Sequence, residues 1–295
     1  MNIELQQNNT EKVRDQGLDK FYTDPSYSKK CIEKVLELFP TYRNGWDLIV
    51  EPSAGNGSFY SQLPEGYHKI GLDISPEHPD IQRHDFFDYL PPTNLRILVI
   101  GNPPFGRVSS LAVKFFNHAA EWANVIAFIV PRTFRKISVQ NKLHGHFKLV
   151  YDEEVPTKPC CFSPPMMVKC CFQIWEKTAD KREMIALPTH HMDWEFLAFG
   201  PLDQHGQPTP PLGADFAIRA YGGKIGEIIS DERLSDLRPK SWHWIKTTII
   251  DKKELIRRFL TLDYSNSQNT ARQNSMGKAE LVSVYSSYVL NTKLQ

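Results

Sequence analysis

In the N-terminal half of the chain the apolar residues fall into short, nearly unbroken runs: WDLIVE at 46–51, HKIGLDI at 68–74, LRILVI at 95–100 and VIAFIVP at 125–131. Runs of this length without strict alternation predict strands buried on both faces. Between them the apolar spacing becomes helical. Asp24 can cap and Pro25 can open a helix reaching about Phe39, with Tyr27, Cys31, Val35 and Leu38 on one side. A short helix is expected near SFYSQL, residues 58–63, and a longer one over SSLAVKFFNHAAEW, residues 109–122. HFKLVYDEEV and MMVKCCFQIWEK add two further strands. Strands alternating with helices predict a doubly wound α/β fold with a mostly parallel sheet, and ligands received at the carboxyl ends of its strands.

The rhythm changes near KTADKREMIALP. Three segments are expected: a tail at 1–17, an α/β domain at 18–185, and a smaller β-rich region at 186–295. The last opens on a Pro/Gly-rich loop, GPLDQHGQPTPPLGADF, and offers strands at FAIRAYG, KIGEIIS and SWHWIKTTI. Asp251 can cap a helix over KKELIRRFL, SNSQNTARQNS reads as a polar linker, and KAELVSVYSSYVL as a closing helix. A content of 41% hydrophobic residues suits a packed core. With no long uncharged apolar run and a polar start, the expectation is a cytoplasmic protein without a membrane segment. Five cysteines, two pairs of them adjacent, do not read as a secreted disulfide framework.

Chemistry is concentrated where the strands end. EPSAGNGSF, residues 51–59, follows one strand, and its Gly55 and Gly57 allow positive φ or close approach of a ligand to the backbone. Asp73 ends the next strand, 22 residues after Glu51, where a carboxylate can accept hydrogen bonds from ribose hydroxyls. Asp85, followed by Phe86 and Phe87, can hold an adenine amino group and its face. No phosphate-binding G-x-x-x-x-G-K-[ST] occurs. The third glycine of the dinucleotide fingerprint is replaced by Tyr60, which argues against a pyrophosphate-bearing cofactor and leaves S-adenosylmethionine as a fit.

The order FYT, EPSAGNGSF, GLD, DFF and NPPF resembles the S-adenosylmethionine-dependent amino-methyltransferases, and most of all the adenine-N6 group in its gamma-like motif order. That resemblance covers roughly residues 18 to 175. It implies a Rossmann-like class I methyltransferase fold with a seven-stranded sheet. It also implies a cofactor site of Phe21, Tyr22, Thr23, Glu51, Pro52, Ser53, Ala54, Gly55, Gly57, Asp73, Ile74, Asp85, Phe86 and Asn102, with Asn102, Pro103, Pro104 and Phe105 catalytic. No specific family is recognised in residues 190–295.

The tetrapeptide has a chemical reading of its own. An exocyclic amine on an aromatic base is a poor nucleophile because its lone pair is delocalised into the ring. Two acceptors on its N–H groups, the Asn102 side-chain oxygen and the Pro103 carbonyl, favour a pyramidal nitrogen. The prolines fix φ and remove donors, and Phe105 offers a face for stacking. The acceptor expected is adenine N6 in DNA or RNA. Alternatives are a protein glutamine amide, or a catalytically silent binding subunit. The chain carries a net charge of +1, but PRTFRKISVQNKLHGHFK holds five cations and no acid. Arg132, Arg135 and Lys136 are therefore candidate phosphate contacts. IRAYGGKIG and RPKSWHWIK mix basic and aromatic residues, which suits either a target-recognition surface or a β-rich cap. The cysteine pairs with His190 and His191 do not have convincing metal-ligand spacing, and no metal is expected.

Overall fold

The computed structural model describes residues 20–40 and 45–293, so the expected tail at 1–17 lies outside the described residues. The chain divides into two compact units, Met1–Met184 and Ile185–Gln295.

The N-terminal unit is a Rossmann-like α/β fold. Its elements run β1 (Tyr22–Thr23), α1 (Pro25–Leu38), β2 (Leu48–Glu51), β3 (Lys69–Asp73), β4 (Gln82–Arg83), β5 (Ile97–Gly101), α2 (Ser110–Trp122), β6 (Val125–Pro131), α3 (Ile137–Gln140), β7 (Phe147–Glu154), β8 (Phe162–Ser163) and β9 (Cys170–Lys177). Seven strands form one sheet in the order β4-β3-β2-β5-β6-β9-β7. Its first five strands pair in parallel, and β9 inserts antiparallel between β6 and β7. A separate two-stranded pair joins β1 to β8.

The two faces of the sheet are read directly from the runs. Ile49, Leu98, Ile100, Ala127 and Ile129 pack on one side with Tyr27, Cys31, Ile32 and Val35 of α1. Leu48, Val50, Val99, Ile126, Phe128 and Val130 pack on the other with Ala112, Phe115, Phe116 and Ala119 of α2. Neighbouring residues of a strand face opposite ways, so a strand covered on both faces must be apolar throughout. The same alternation sends Cys170 to the first face and Cys171 to the second. Asp24 caps α1, its carboxylate accepting from the Ser26 N–H at 2.8 Å, with Pro25 in the first turn. Leu38 is on the solvent side of that helix. The helix expected near SFYSQL shrinks to a single 3-10 turn, Tyr60–Gln62.

The C-terminal unit contains β10 (Trp194–Phe196), β11 (Phe216–Arg219), β12 (Ile228–Ile229), β13 (Trp242–Thr247), α4 (Lys252–Leu260) and α5 (Lys278–Lys293). The four strands make an antiparallel sheet in the order β10-β13-β11-β12. One face packs Trp194, Phe216, Ile218 and Ile245 against Leu255 and Phe259 of α4 and Tyr285 of α5. The other carries Ala217, Ile229, Trp242 and Trp244. Asp251 caps α4 by accepting from the Lys253 and Glu254 N–H groups at 2.8 and 3.3 Å. Two features differ from the pattern-based expectation. Trp194–Phe196 is a strand, and the supposed polar linker at 265–275 folds back on itself, burying Ser267 and Thr270 and pairing the Ser275 N–H with the Ser267 carbonyl at 2.9 Å. Among the described residues no helix is long and apolar enough to cross a membrane.

Phe259 is the hinge of this smaller core, with ring centroids 5.1 Å from Tyr285, 5.4 Å from Trp194 and 5.8 Å from Phe216. Phe259→Ala should cost about 3–5 kcal/mol, and Phe259→Leu clearly less. Chemical denaturation followed by tryptophan fluorescence measures both, and equal losses would contradict a packing origin.

Candidate active site

β2 and β5 are hydrogen-bonded neighbours, with Leu48 opposite Ile97 and Val50 opposite Val99. The chain runs from β2 outward through β3 and β4 and then returns to β5. The carboxyl ends of β2 and β5 therefore flank the point where the winding reverses, which is where open α/β sheets hold ligands. Glu51 ends β2, and Asn102 follows the last residue of β5.

The loop after β2 is tied to β3 by Ala54 N–H to the Leu72 carbonyl at 2.8 Å and closes on itself by Gly57 N–H to the Ala54 carbonyl at 2.6 Å. Gly55 and Gly57 sit at φ +50° and +79°. A Cβ on Gly55 would lie 2.8 Å from the Tyr22 ring, and one on Gly57 3.1 Å from His78. The close strand-side packing is supplied by a different glycine. A Cβ on Gly71 of β3 would come within 2.2 Å of Ile81 and 3.2 Å of Tyr60, so Tyr60 is accommodated by the missing side chain at Gly71.

Glu51 is buried, and its Oε2 accepts the Tyr60 N–H at 2.7 Å. The backbone donor expected to face a ligand at this turn is thus held by the protein's own carboxyl group. Burial pushes the Glu51 carboxyl well above the ordinary carboxylate range, against the opposing pull of backbone donors at Tyr60 and Phe59. Pro52 and Ala54 are buried and Ser53 half-buried, its hydroxyl donating to the Asn102 carbonyl at 3.3 Å. Asp73 is half-buried and accepts the Gly55 N–H at 2.8 Å and the Ser75 N–H at 2.7 Å, one on each oxygen. Each oxygen retains a second lone pair. Ile74 beside it is exposed.

The segment at 20–24 lies across this loop. Tyr22 and Thr23 pair with Ser163 and Phe162, and the Asp24 N–H reaches the Cys161 carbonyl at 2.7 Å. The Tyr22 hydroxyl and the Lys20 ammonium both donate to Glu77 Oε1 at 2.7 Å. Burial and the nearby Glu77 and Asp73 carboxylates push the Tyr22 phenol up. Thr23 is buried, and its hydroxyl has no hydrogen-bond partner. An orphaned buried hydroxyl beside a glycine cradle fits a polar ligand group at that place. The Phe21 carbonyl accepts from Asn102 Nδ2 at 3.0 Å. This bond fixes which way the Asn102 amide faces. Asn102 Oδ1 and the Pro103 carbonyl are left without donors among the described residues, while Pro103 is buried and Pro104 and Phe105 half-buried. Glu77 has no motif around it to mark it, and only the fold brings it to Tyr22.

Two expectations need correction. Phe86 is 1% exposed and stacks on Phe115 with centroids 5.1 Å apart, so its ring belongs to the core and offers no face to a ligand. Phe87 is the partly exposed ring of the pair, and Asp85 is exposed, accepting the Phe87 N–H at 3.0 Å. Arg132 and Arg135 are not free cations. Arg132 pairs with Glu154 at 2.5 Å, and Arg135 pairs with Asp152 and, at 3.1 Å, with Glu154. Asp152 is held in turn by Gln173 Nε2 at 2.6 Å, and Gln173 accepts from Trp175 Nε1 at 3.1 Å. Lys136 is half-buried at the start of α3.

In the C-terminal unit the basic and aromatic residues satisfy one another. Arg219 lies 4.3 Å over the Trp242 ring and pairs with Glu227 at 2.6 Å. Trp242 and Trp244 are buried, and burial pushes His243 down to about 4. Tyr221, beside the Gly222–Gly223 turn, is half exposed. A cleft of about 690 Å³ in this unit is lined in part by His190, His191, Asp193 and Arg258, and its arginine is already paired with Asp193 and Glu254. No group of three or more His, Cys, Asp or Glu among the described residues is placed to hold a metal ion.

No family profile matches the sequence, and no curated protein matches it. Solved structures do resemble it in part. A 23S rRNA methyltransferase, ErmE, is 17% identical over 55% of this chain and 71% of its own, with a TM-score of 0.39. The magnesium protoporphyrin IX methyltransferase of Synechocystis, solved with bound S-adenosylmethionine, is 13% identical over 51% of this chain and 79% of its own, with a TM-score of 0.37. A complex from E. cuniculi responsible for methylating the eRF1 translation termination factor is 13% identical over 51% of this chain and 96% of its own, with a TM-score of 0.35. All three are methyltransferases by description, and likenesses this distant assign no acceptor to the present chain.

Proposed function

We propose that the chain transfers a methyl group from S-adenosylmethionine to the exocyclic N6 amine of adenine in nucleic acid. One observation carries this reading: Asn102 Oδ1 and the Pro103 carbonyl stand without donors beside the half-buried Phe105 ring, next to the glycine loop. An amine with two hydrogens meets two acceptors there, and a flat base meets a flat ring. Holding both N–H groups draws the nitrogen toward a pyramidal geometry and frees its lone pair. Because the acceptors are fixed by proline and by the bond to Phe21, they need little reorganisation during the reaction.

The residues that would hold the cofactor are Thr23 with its orphaned hydroxyl, the cradle of Gly55 and Gly57, Asp73 toward the ribose hydroxyls, and Ile74 with Asp85 toward the adenine. Tyr22 would close over them, and Phe21 would contribute its carbonyl to Asn102 rather than a ring to the ligand. S-adenosylmethionine supplies an electrophilic methyl carbon on a sulfonium. The chain's residues hold the acceptor nitrogen in line with it. The proton then released needs no strong base, since a methylated aryl ammonium is itself a strong acid. The C-terminal unit would serve either as a target-recognition surface or as a β-rich cap.

Three outcomes test this. Asn102→Ala should lower methyl transfer to adenine-containing oligonucleotides by about a thousandfold, while calorimetry finds cofactor affinity nearly unchanged. Transfer at the wild-type rate, or to a glutamine peptide in place of adenine, would overturn the acceptor assignment. Gly55→Ala, at φ +50° and 2.8 Å from Tyr22, should weaken cofactor binding by at least about tenfold without unfolding the chain.

Glu51→Gln gives a pH signature. A carboxyl whose folded pKa is raised keeps its proton in the folded state longer than in the unfolded state. Stability attached to it is therefore complete below the ordinary glutamate range and declines as pH rises toward the folded pKa. The neutral amide retains an acceptor for the Tyr60 N–H and has no such dependence. Glu51→Gln should gain stability relative to wild type as pH is raised above about 4.3, the ordinary glutamate value, and a constant difference in denaturation midpoint would contradict the assignment.

A further inference from the structure

Four residues after the tetrapeptide's asparagine the chain enters a turn that its own amino acids disfavour. Gly106 has φ +65°, Val108 φ +52° and Ser109 φ +61°, so two of the three left-handed residues carry a Cβ and one is β-branched. A valine in this region is a genuine outlier, because its branched side chain crowds the backbone. The turn is locked at both ends. A Cβ on Gly106 would stand 2.7 Å from the Leu111 Cβ, Ser109 is 3% exposed, and its hydroxyl bonds that of Thr133 at 2.5 Å. The Phe105 carbonyl accepts from the Leu111 N–H at 3.2 Å, which ties the start of α2 to the stacking residue itself.

What this fixed turn presents outward is Val108, 79% exposed, and Arg107, also exposed. Arg107 differs from Arg132 and Arg135. Those two are neutralised by Asp152 and Glu154, whereas Arg107 has no carboxylate partner among the described residues. An exposed aliphatic tip gains nothing from a strained backbone, and an uncompensated guanidinium beside it adds nothing to the fold. Backbone strain held rigidly next to a site is expected where the geometry serves a ligand.

We infer that Arg107 and Val108 form the acceptor-contacting lip of the site, Arg107 receiving a phosphate of the nucleic-acid strand and Val108 packing on the base beside the adenine that reaches Phe105. A strand alternates anionic phosphate with flat apolar base, and a cation next to an apolar tip matches that alternation. An adenine must leave its stack to reach Phe105, and an apolar side chain held at the mouth can cover the neighbour it leaves behind. This inference rests on the function proposed above.

The test uses the full chain with short adenine-containing oligonucleotides, as DNA and as RNA, single- and double-stranded, and a glutamine peptide as a separate arm. Binding is followed by fluorescence anisotropy across a salt series, transfer by single turnover, and folding by thermal melting. Arg107→Ala should weaken binding by about fivefold and lower the salt slope by about one phosphate contact, with Arg107→Lys retaining most of both. Val108→Gly, which relieves the left-handed strain, should melt at or above the wild-type temperature and yet transfer about tenfold more slowly to duplex than wild type, with a smaller loss on single strands. An unchanged salt slope in Arg107→Ala, or wild-type transfer by Val108→Gly on every oligonucleotide, would overturn the lip and leave the adenine assignment standing. Wild-type transfer to the peptide and to no nucleic acid would remove both.

Discussion

The parallel pairing of β2 with β5 is the constraint on which the site depends. Both strands are buried from end to end, so their register is fixed by apolar contacts on two faces at once, and a slip of one residue would exchange the faces for the whole strand. With Val50 opposite Val99, Glu51 at the end of β2 and Asn102 just past the end of β5 emerge at the same rim of the sheet. β3 and β4 lie to one side and β6 to the other, so the winding reverses at the crevice between the two strand ends. Glu51 and Asn102 stand at that crevice, and the left-handed residues Val108 and Ser109 follow it along the chain.

The Asn102 amide is then set by a segment from near the start of the chain. A side-chain amide has a donor end and an acceptor end, and its chemistry depends on which faces the substrate. Here the donor end is taken by the Phe21 carbonyl. The segment that supplies this carbonyl is held by β8 on one side and by Glu77 on the other, through Tyr22 and Lys20. Tyr22 also lies against Gly55, so the group that would cover the cofactor and the bond that orients Asn102 belong to one piece of chain. The position of the Tyr22 ring over the glycine loop and the orientation of Asn102 are in this way mechanically linked, although the Lys20–Glu77 pair itself is partly exposed and contributes modest stability.

Much of the fold was legible because buried parallel strands have a strong signature. LIVE, ILVI and VIAFIVP each became a strand, and the Asp24–Pro25 start of α1 is a local signal read locally. Features that depend on distant partners were not legible. Asp152 and Glu154 reach Arg132 and Arg135 only because β9 inserts between β6 and β7 and carries β7 alongside. Counting charges within 131–148 could not anticipate that. Phe86 and Phe87 are adjacent aromatics of equal composition, and only the packing of α2 decides that the first is core and the second is partly exposed. Tyr60 looked too large for a glycine-loop fold, but the space it needs comes from Gly71 on the neighbouring strand.

Buried side-chain atoms without partners occur in several parts of the N-terminal unit, at Tyr27, Trp122, Arg132 and Arg182 as well as at Thr23, and a left-handed turn follows the tetrapeptide. The buried Thr23 hydroxyl and the left-handed Val108 each carry an energetic penalty, and Asn102 Oδ1 and the Pro103 carbonyl accept no donor among the described residues. An unpaired buried polar group alone costs about 1–3 kcal/mol. By contrast the Glu51 carboxyl and the Arg135 guanidinium are taken up by partners within the fold. Around the tetrapeptide, a bound ligand of the class proposed above would supply the missing partners: donors for the two oxygens and a surface for the valine.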